Sequence, residues 1–266
     1  MLHRCLAGLL LATAATSASA NAWTQAKGKG QVIVKAEAMR ATEGYDPTGA
    51  VLPLPAERED RSLGMFAEYG LTETLTVQFK GDWQSGEDAF VDYDGRGPIE
   101  LGLTWQAYRD DRNAVSLYAG YSVSGDGRNA GYAAPGVGEQ DWEVRVSAGR
   151  SLGGPGRGLT GGWGPDRSFV EVQVARRMRD GLPDETRADF TVGGHFGEGW
   201  MVLGQAFGGT TDRDGSNGEG ARWLSVETSV VRNLGRWSVQ AGWRQTVAGR
   251  ETPLAEGVVI ALWRRF

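Results

Sequence analysis

Cysteine is nearly missing: the 266 residues hold one, Cys5. It falls in a stretch expected to be removed and lies too early for a lipoprotein cleavage box. The mature protein is therefore expected to have no disulfide and no thiol chemistry. Histidine is almost as scarce, with His3 and His195 alone. One histidine beyond the leader leaves little from which to build a metal centre or a Ser-His pair. A basic excess is also lacking. The formal net charge of −5 provides no footprint for nucleic acid. No stretch after residue 20 has eighteen consecutive apolar residues, which excludes membrane-spanning helices and leaves spanning strands open. No Ser/Pro-rich linker divides the chain, so one domain is expected.

The first twenty residues have the features of a secretory leader. His3 and Arg4 open it, residues 6–15 are apolar but too short to cross a bilayer, and Ala18-Ser19-Ala20 is a small-residue cleavage site. Cleavage before Asn21 leaves residues 21–266 as the folded domain.

Those residues hold most of the 41 glycines and all ten tryptophans. Their main signal is alternation. In residues 74–84, Leu75, Val77, Phe79 and Trp83 occupy one parity, with Thr76, Gln78, Lys80 and Asp82 on the other. Before the turn at 71–74, Leu63, Met65, Ala67 and Tyr69 repeat the pattern. Period two means strands with one apolar face, and two strands about a short turn make a hairpin. Further segments follow near 31–39, 98–108, 115–123, 141–151, 168–178, 186–196, 200–208, 222–232, 237–243 and 258–266. The faces of 200–208 cannot be assigned by parity. About twelve strands of about ten residues, with no helical period between them, predict an all-β, up-and-down antiparallel barrel. A soluble two-sheet sandwich is the competing architecture.

Loop lengths favour a membrane barrel, with long external loops at 40–61, 85–97, 125–138, 179–185, 209–221 and 248–254. Short periplasmic turns are expected at 71–74, 109–113, 197–199 and 233–235, and 152–165 breaks that rule. Trp83, Trp142 and Trp223 fall at external strand ends, and Trp105, Trp200 and Trp237 at periplasmic ends. That is the placement of two interfacial girdles. The chain closes on Phe266, with Leu262, Ile260 and Val258 on the same face. A terminal aromatic on an amphipathic strand resembles the assembly signal of bacterial outer-membrane proteins, with Arg264 a departure where an apolar residue is usual. Residues 22–33, Ala22-Trp23-Thr24-Gln25 with Lys27-Gly28-Lys29-Gly30-Gln31-Val32-Ile33, are similar to the start of XagA-like proteins of Gram-negative bacteria. The hairpin from Glu68 to Thr76 resembles outer-membrane transporters of the phenol-degradation MetA-pathway type. These resemblances imply an outer-membrane barrel and transport, with outer-membrane lipid, the barrel-assembly machinery and small solutes as partners. They carry no catalytic residues.

On this topology the polar parity lines the interior: Lys35, Glu37, Glu68, Gln78, Lys80, Asp82, Glu100, Gln106, Glu143, Arg145, Glu171, Glu227, Gln240 and Arg244. Mixed charges in a narrow lumen either pair and plug it or flank a water path for polar solutes. The expected function is a narrow channel or transporter for small solutes, with a structural or surface-interaction barrel as the alternative. His195 has only Gly193, Gly194, Phe196 and Gly197 beside it, so an enzyme is not expected. Residues 212–219 are acidic but lack the glycine position and flanking helices of an EF-hand. Gly125-Asp126-Gly127 opens no helix, so it is not a phosphate cradle. No cofactor or metal is expected.

Overall fold

The structure, a computed structural model, describes residues 22–87, 89, 92–126, 138–153, 164–212 and 220–266. The leader expected at 1–20 lies outside the described residues, as does most of the 152–165 connection. The elements are β1 (Gly30–Tyr45), β2 (Val51–Gly70), β3 (Leu75–Glu87), β4 (Asp92–Arg109), β5 (Asn113–Val123), β6 (Gln140–Gly153) and β7 (Arg167–Arg179). They continue with β8 (Glu185–Phe196), β9 (Trp200–Thr211), β10 (Arg222–Leu234), β11 (Trp237–Arg250), the two-residue β12 (Thr252–Pro253) and β13 (Glu256–Arg265).

From β1 to β11 each strand pairs antiparallel with the next, and β13 pairs with β11. β1 closes the ring. It pairs with β2 on one side and with β13 on the other, from Gln31↔Arg265 to Arg40↔Glu256. Setting β12 aside, twelve strands form a closed antiparallel barrel, as the alternation predicts.

The two parities of each strand have opposite surroundings. Leu63, Leu101, Trp142 and Ile260 are 55–59% exposed, whereas Glu68, Glu100, Glu143 and Glu227 are buried. A water-soluble domain buries the first set and exposes the second. Closure satisfies every central backbone group within the wall, and an apolar outside with a polar inside is the arrangement that suits strands crossing a bilayer.

Three expected loops are partly strand. Residues 40–61 form no long loop: β1 runs to Tyr45, β2 starts at Val51, and the chain reverses over 46–50. Asp46 shapes that reversal by accepting hydrogen bonds from the backbone N–H groups of Thr48 and Ala50 at 2.7 and 2.9 Å. Pro53 and Pro55 fit because β3 reaches β2 only from Glu59↔Glu87 inward, so, among the described residues, 51–58 have β1 as their one neighbour. Proline is tolerated on such an edge. In the same way β3 and β4 stay paired out to Glu87↔Asp92, inside the expected loop 85–97. β11 continues to Arg250. Beyond the bilayer a strand needs no apolar face, so pairing continues after the alternation has stopped. At the other end the turns are tight, and Gly197 and Gly235 take the positive φ of 61° and 67° that those reversals require.

Candidate functional site: the barrel interior

All fourteen residues expected in the lumen lie on the inward parity. They sort into two walls and a floor. On the first wall, three donors converge on Glu100 of β4. Lys80 Nζ is at 2.7 Å, Tyr118 Oη at 2.5 Å and Arg177 Nη2 at 2.8 Å. Arg177 also donates to Glu143 at 2.7 Å, and Arg145 binds the same carboxylate from the other side. The Tyr118 ring lies between Lys80 and Arg145, whose charges are 5.3 and 5.1 Å from its centroid. It lies flat because Gly102 and Gly120 leave room: a Cβ at either would strike the ring. Towards the outer end, Arg179 pairs with Glu185 at 3.3 Å, and Arg187 shares that carboxylate.

The second wall is smaller. Glu37 of β1 accepts Lys35 at 2.7 Å and Arg244 at 3.0 Å. Arg244 also reaches Glu227 at 2.7 Å, where Ser229 and Gln240 donate at 2.7 and 3.1 Å. Its guanidinium lies 4.8 Å from the Phe207 ring centroid.

Between the walls are two cavities of about 530 and 400 Å³. They share Lys35, Asp82, Gln84, Arg187, Phe207 and Arg244 in their linings, so they adjoin as two parts of one chamber. Most of the facing charges are paired. Asp82 and Asp189 are not: among the described residues neither has a cation within ion-pair distance. Among the described residues Asp82 accepts only from Gln84, at 2.8 Å.

The floor was not legible in the sequence. Residues 22–29 carry no strand alternation, yet they pass beneath the end of β2, where Gly28 donates to the Gly70 carbonyl at 2.9 Å and Gly70 to that of Lys29. The chain then enters the barrel. Gln25 donates its backbone N–H to Thr76 Oγ1 at 3.0 Å and its side-chain amide to Glu68 at 2.7 Å. Thr24 donates twice to Gln106 Oε1, at 3.0 and 3.1 Å, and Gln106 Nε2 donates to the Ala22 carbonyl at 2.8 Å. Ala22 N reaches Glu171 at 3.5 Å. Trp23 meets Phe169 edge-on at 6.4 Å and lies over Gly149, where a Cβ would overlap it. The segment thus crosses from β2 to β7. The remaining part of that end is filled by apolar side chains on β1, β7, β9, β10 and β13: Ile33, Phe169, Met201, Leu203, Val231 and Trp263.

Met201 and Leu203 explain why the parity of β9 could not be read: both of its faces are apolar. His195 also faces this end, buried against Phe169 at 6.4 Å between centroids. Of the expected girdle, Trp83, Trp105, Trp142, Trp200 and Trp237 are exposed on the outer wall. Trp223 is a correction. It shares the inward parity of Ser225 and Glu227, lines the outer cavity and lies against Gly209, so it does not contact lipid. Residues 213–219 of the acidic loop and Gly127 lie outside the described residues. Asp212, at the loop's start, binds Arg176.

No known sequence family and no curated protein matches the chain. Solved structures do match in fold. The COG4313 outer membrane channel from Pseudomonas putida F1 aligns over 94% of this chain and 100% of its own, with TM-score 0.70 and 13% identity. The NanC porin aligns over 88% of this chain and 98% of its own, with TM-score 0.56 and 8% identity. The fold is shared with outer-membrane channels and porins.

Proposed function

We propose that the chain is a narrow outer-membrane channel for small polar solutes, made as a precursor with a leader at 1–20 and held shut at its periplasmic mouth by residues 22–26. The observation that carries this is the chamber with Asp82 and Asp189 unpaired on its wall. A carboxylate without a cation in a narrow lumen needs water, and a purely structural plug has no use for it. The resemblance of the Glu68–Thr76 hairpin to MetA-pathway transporters adds support for transport.

The floor is loosely enough held to move. Six hydrogen bonds fix Ala22, Thr24 and Gln25. At about 0.5–1.5 kcal/mol net each they contribute roughly 3–9 kcal/mol. Ordering four residues of backbone opposes this by about 4–8 kcal/mol. The two nearly cancel, and burial of Trp23 tips the balance to closed by a few kcal/mol, so an open minor state is populated.

The mature chain lacks cysteine, so a tether can be introduced cleanly. Thr24→Cys with Gln106→Cys, in planar bilayers, is expected to conduct when reduced and to close when oxidised. If neither the reduced pair nor a variant lacking residues 22–26 conducts, the barrel is structural and the channel reading fails.

A further inference from the structure

We propose that the outer wall of β9–β13, at the short-turn rim, binds the phosphate of an anionic phospholipid in the periplasmic leaflet. Arg264 is the starting point. It sits on the lipid-facing parity of the last strand with Val258, Ile260 and Leu262, where an apolar residue is usual. Its guanidinium lies 4.8 Å from the ring centroid of Trp237, its partner across β11. The arrangement is repeated one hairpin away. Arg232 on β10 lies 4.7 Å from the ring centroid of Trp200, its partner on β9. Gly199 makes room for it, since a Cβ there would strike the guanidinium. Arg236, in the turn between β10 and β11, is exposed beside them.

None of these three arginines has a carboxylate within ion-pair distance among the described residues. Glu198, in the neighbouring turn, makes no ion pair with them. Arg265 shows the contrast: it turns inward, and Ser238 and Asn233 accept from it at 2.9 and 3.3 Å. Arg232 and Arg264 are left with indole faces on one side and the bilayer surface on the other. Their register places them near each other. Arg232 faces Val239, Val239 faces Leu262, and Arg264 is two residues further on. At about 4.8 Å per strand and about 3.4 Å per residue, the two Cα atoms are about 12 Å apart, within reach of one headgroup. Guanidinium donors match phosphate oxygens, and indoles hold the stems at headgroup depth. Three unpaired cations favour a lipid of net negative charge over a zwitterionic one. The short-turn end of such a barrel faces the periplasm, where the leaflet is phospholipid.

The test is spin-labelled lipid at the protein boundary, with the full mature chain in phosphatidylcholine vesicles. The wild type should prefer phosphatidylglycerol over phosphatidylcholine by roughly two- to threefold at low salt. R232Q/R264Q should lose that preference, while R40Q/R222Q, which removes two charges at the opposite rim, should keep it. Millimolar inorganic phosphate should leave the wild-type preference in place. The proposal is overturned by a preference that survives R232Q/R264Q or that R40Q/R222Q abolishes equally. It is also overturned if free phosphate displaces the lipid, which would make the site one for the free ion. Should the double variant fail to fold, R264Q alone must lower the preference, and an unchanged value sinks the idea. The result does not depend on whether the barrel conducts.

Discussion

Glu100→Gln offers a sharp probe of the interior network. Glu100 is buried and takes three donors, from Lys80, Tyr118 and Arg177. Glutamine keeps one good acceptor and turns two N–H groups towards cations. Arg177 retains Glu143 at 2.7 Å, but no other carboxylate is within ion-pair distance of Lys80 among the described residues. Removing one partner of a buried pair costs roughly 3–5 kcal/mol. The Lys80 side chain is 31% exposed, so water recovers part of that and the expected loss is at the lower end, about 3 kcal/mol. The assay is urea titration of the barrel folded into lipid vesicles, read by the mobility of unboiled protein on a denaturing gel. Adding Lys80→Met to Glu100→Gln should recover part of the loss, because the stranded cation is gone. A loss below about 1 kcal/mol, or no recovery in the double variant, would show that the three donors do not depend on this carboxylate.

Other consequences can be checked in the same system. Leu101→Arg, at an outward position 59% exposed, should cost roughly 2–4 kcal/mol, whereas Gln205→Glu, facing the chamber beside Arg187 and Arg244, should change folding little; equal losses would reverse the face assignment. Gly102→Ala should displace the Tyr118 ring and cost about 1–3 kcal/mol by overpacking, visible as a lower urea midpoint. In conducting protein, Asp82→Asn with Asp189→Asn should move the reversal potential towards anions, and an unmoved potential removes both from the path. The Thr48 hydroxyl and the N–H groups of the 46–50 turn hold the Asp46 carboxyl below its ordinary range. A lowered value stabilises the turn above the unfolded-state pKa, and the gain is lost as pH falls through the folded one. Amide exchange at Thr48 and Ala50 should therefore separate wild type from Asp46→Ala at neutral pH and converge in acid.

The alternation that marks strands in this chain is a record of lipid contact. It is sharp in β4, where Leu101, Leu103 and Trp105 alternate with Glu100, Gly102 and Thr104. It fades in the outer parts of β1 to β4, where backbone pairing continues without an apolar face. It also fails in β9, because Met201 and Leu203 pack inside while Val202 faces out. Parity puts Glu100, Arg244 and Trp223 on the inward face, and the girdle expectation for Trp223 fails because it rests on position along the strand and not on parity. Arg177 shares the inward parity of Glu171, and Tyr118 that of Ser116 and Ser122, but their flanking residues are of mixed polarity and carry no separate signal. The entry of Ala22–Gln25 into the lumen had no local signal at all, since its partners Gln106 and Glu171 are distant in sequence.

At the seam, Gly30 and Phe266 exchange backbone hydrogen bonds at 3.1 and 3.0 Å, and Tyr69 stacks on Phe266 at 6.3 Å between centroids. The wall is thus a ring of hairpins in which the start of the chain happens to lie beside its end. A permuted gene that joins the two ends by a linker and opens the chain in the 46–50 turn would encode the same ring with new ends at the opposite rim. Phe266 would then be internal, while every strand kept its neighbours. Such a protein separates the geometry of the finished wall from the assembly signal expected at Phe266. A permutant that refolds in vesicles from urea but fails to reach the membrane in cells would show that the two are separate instructions.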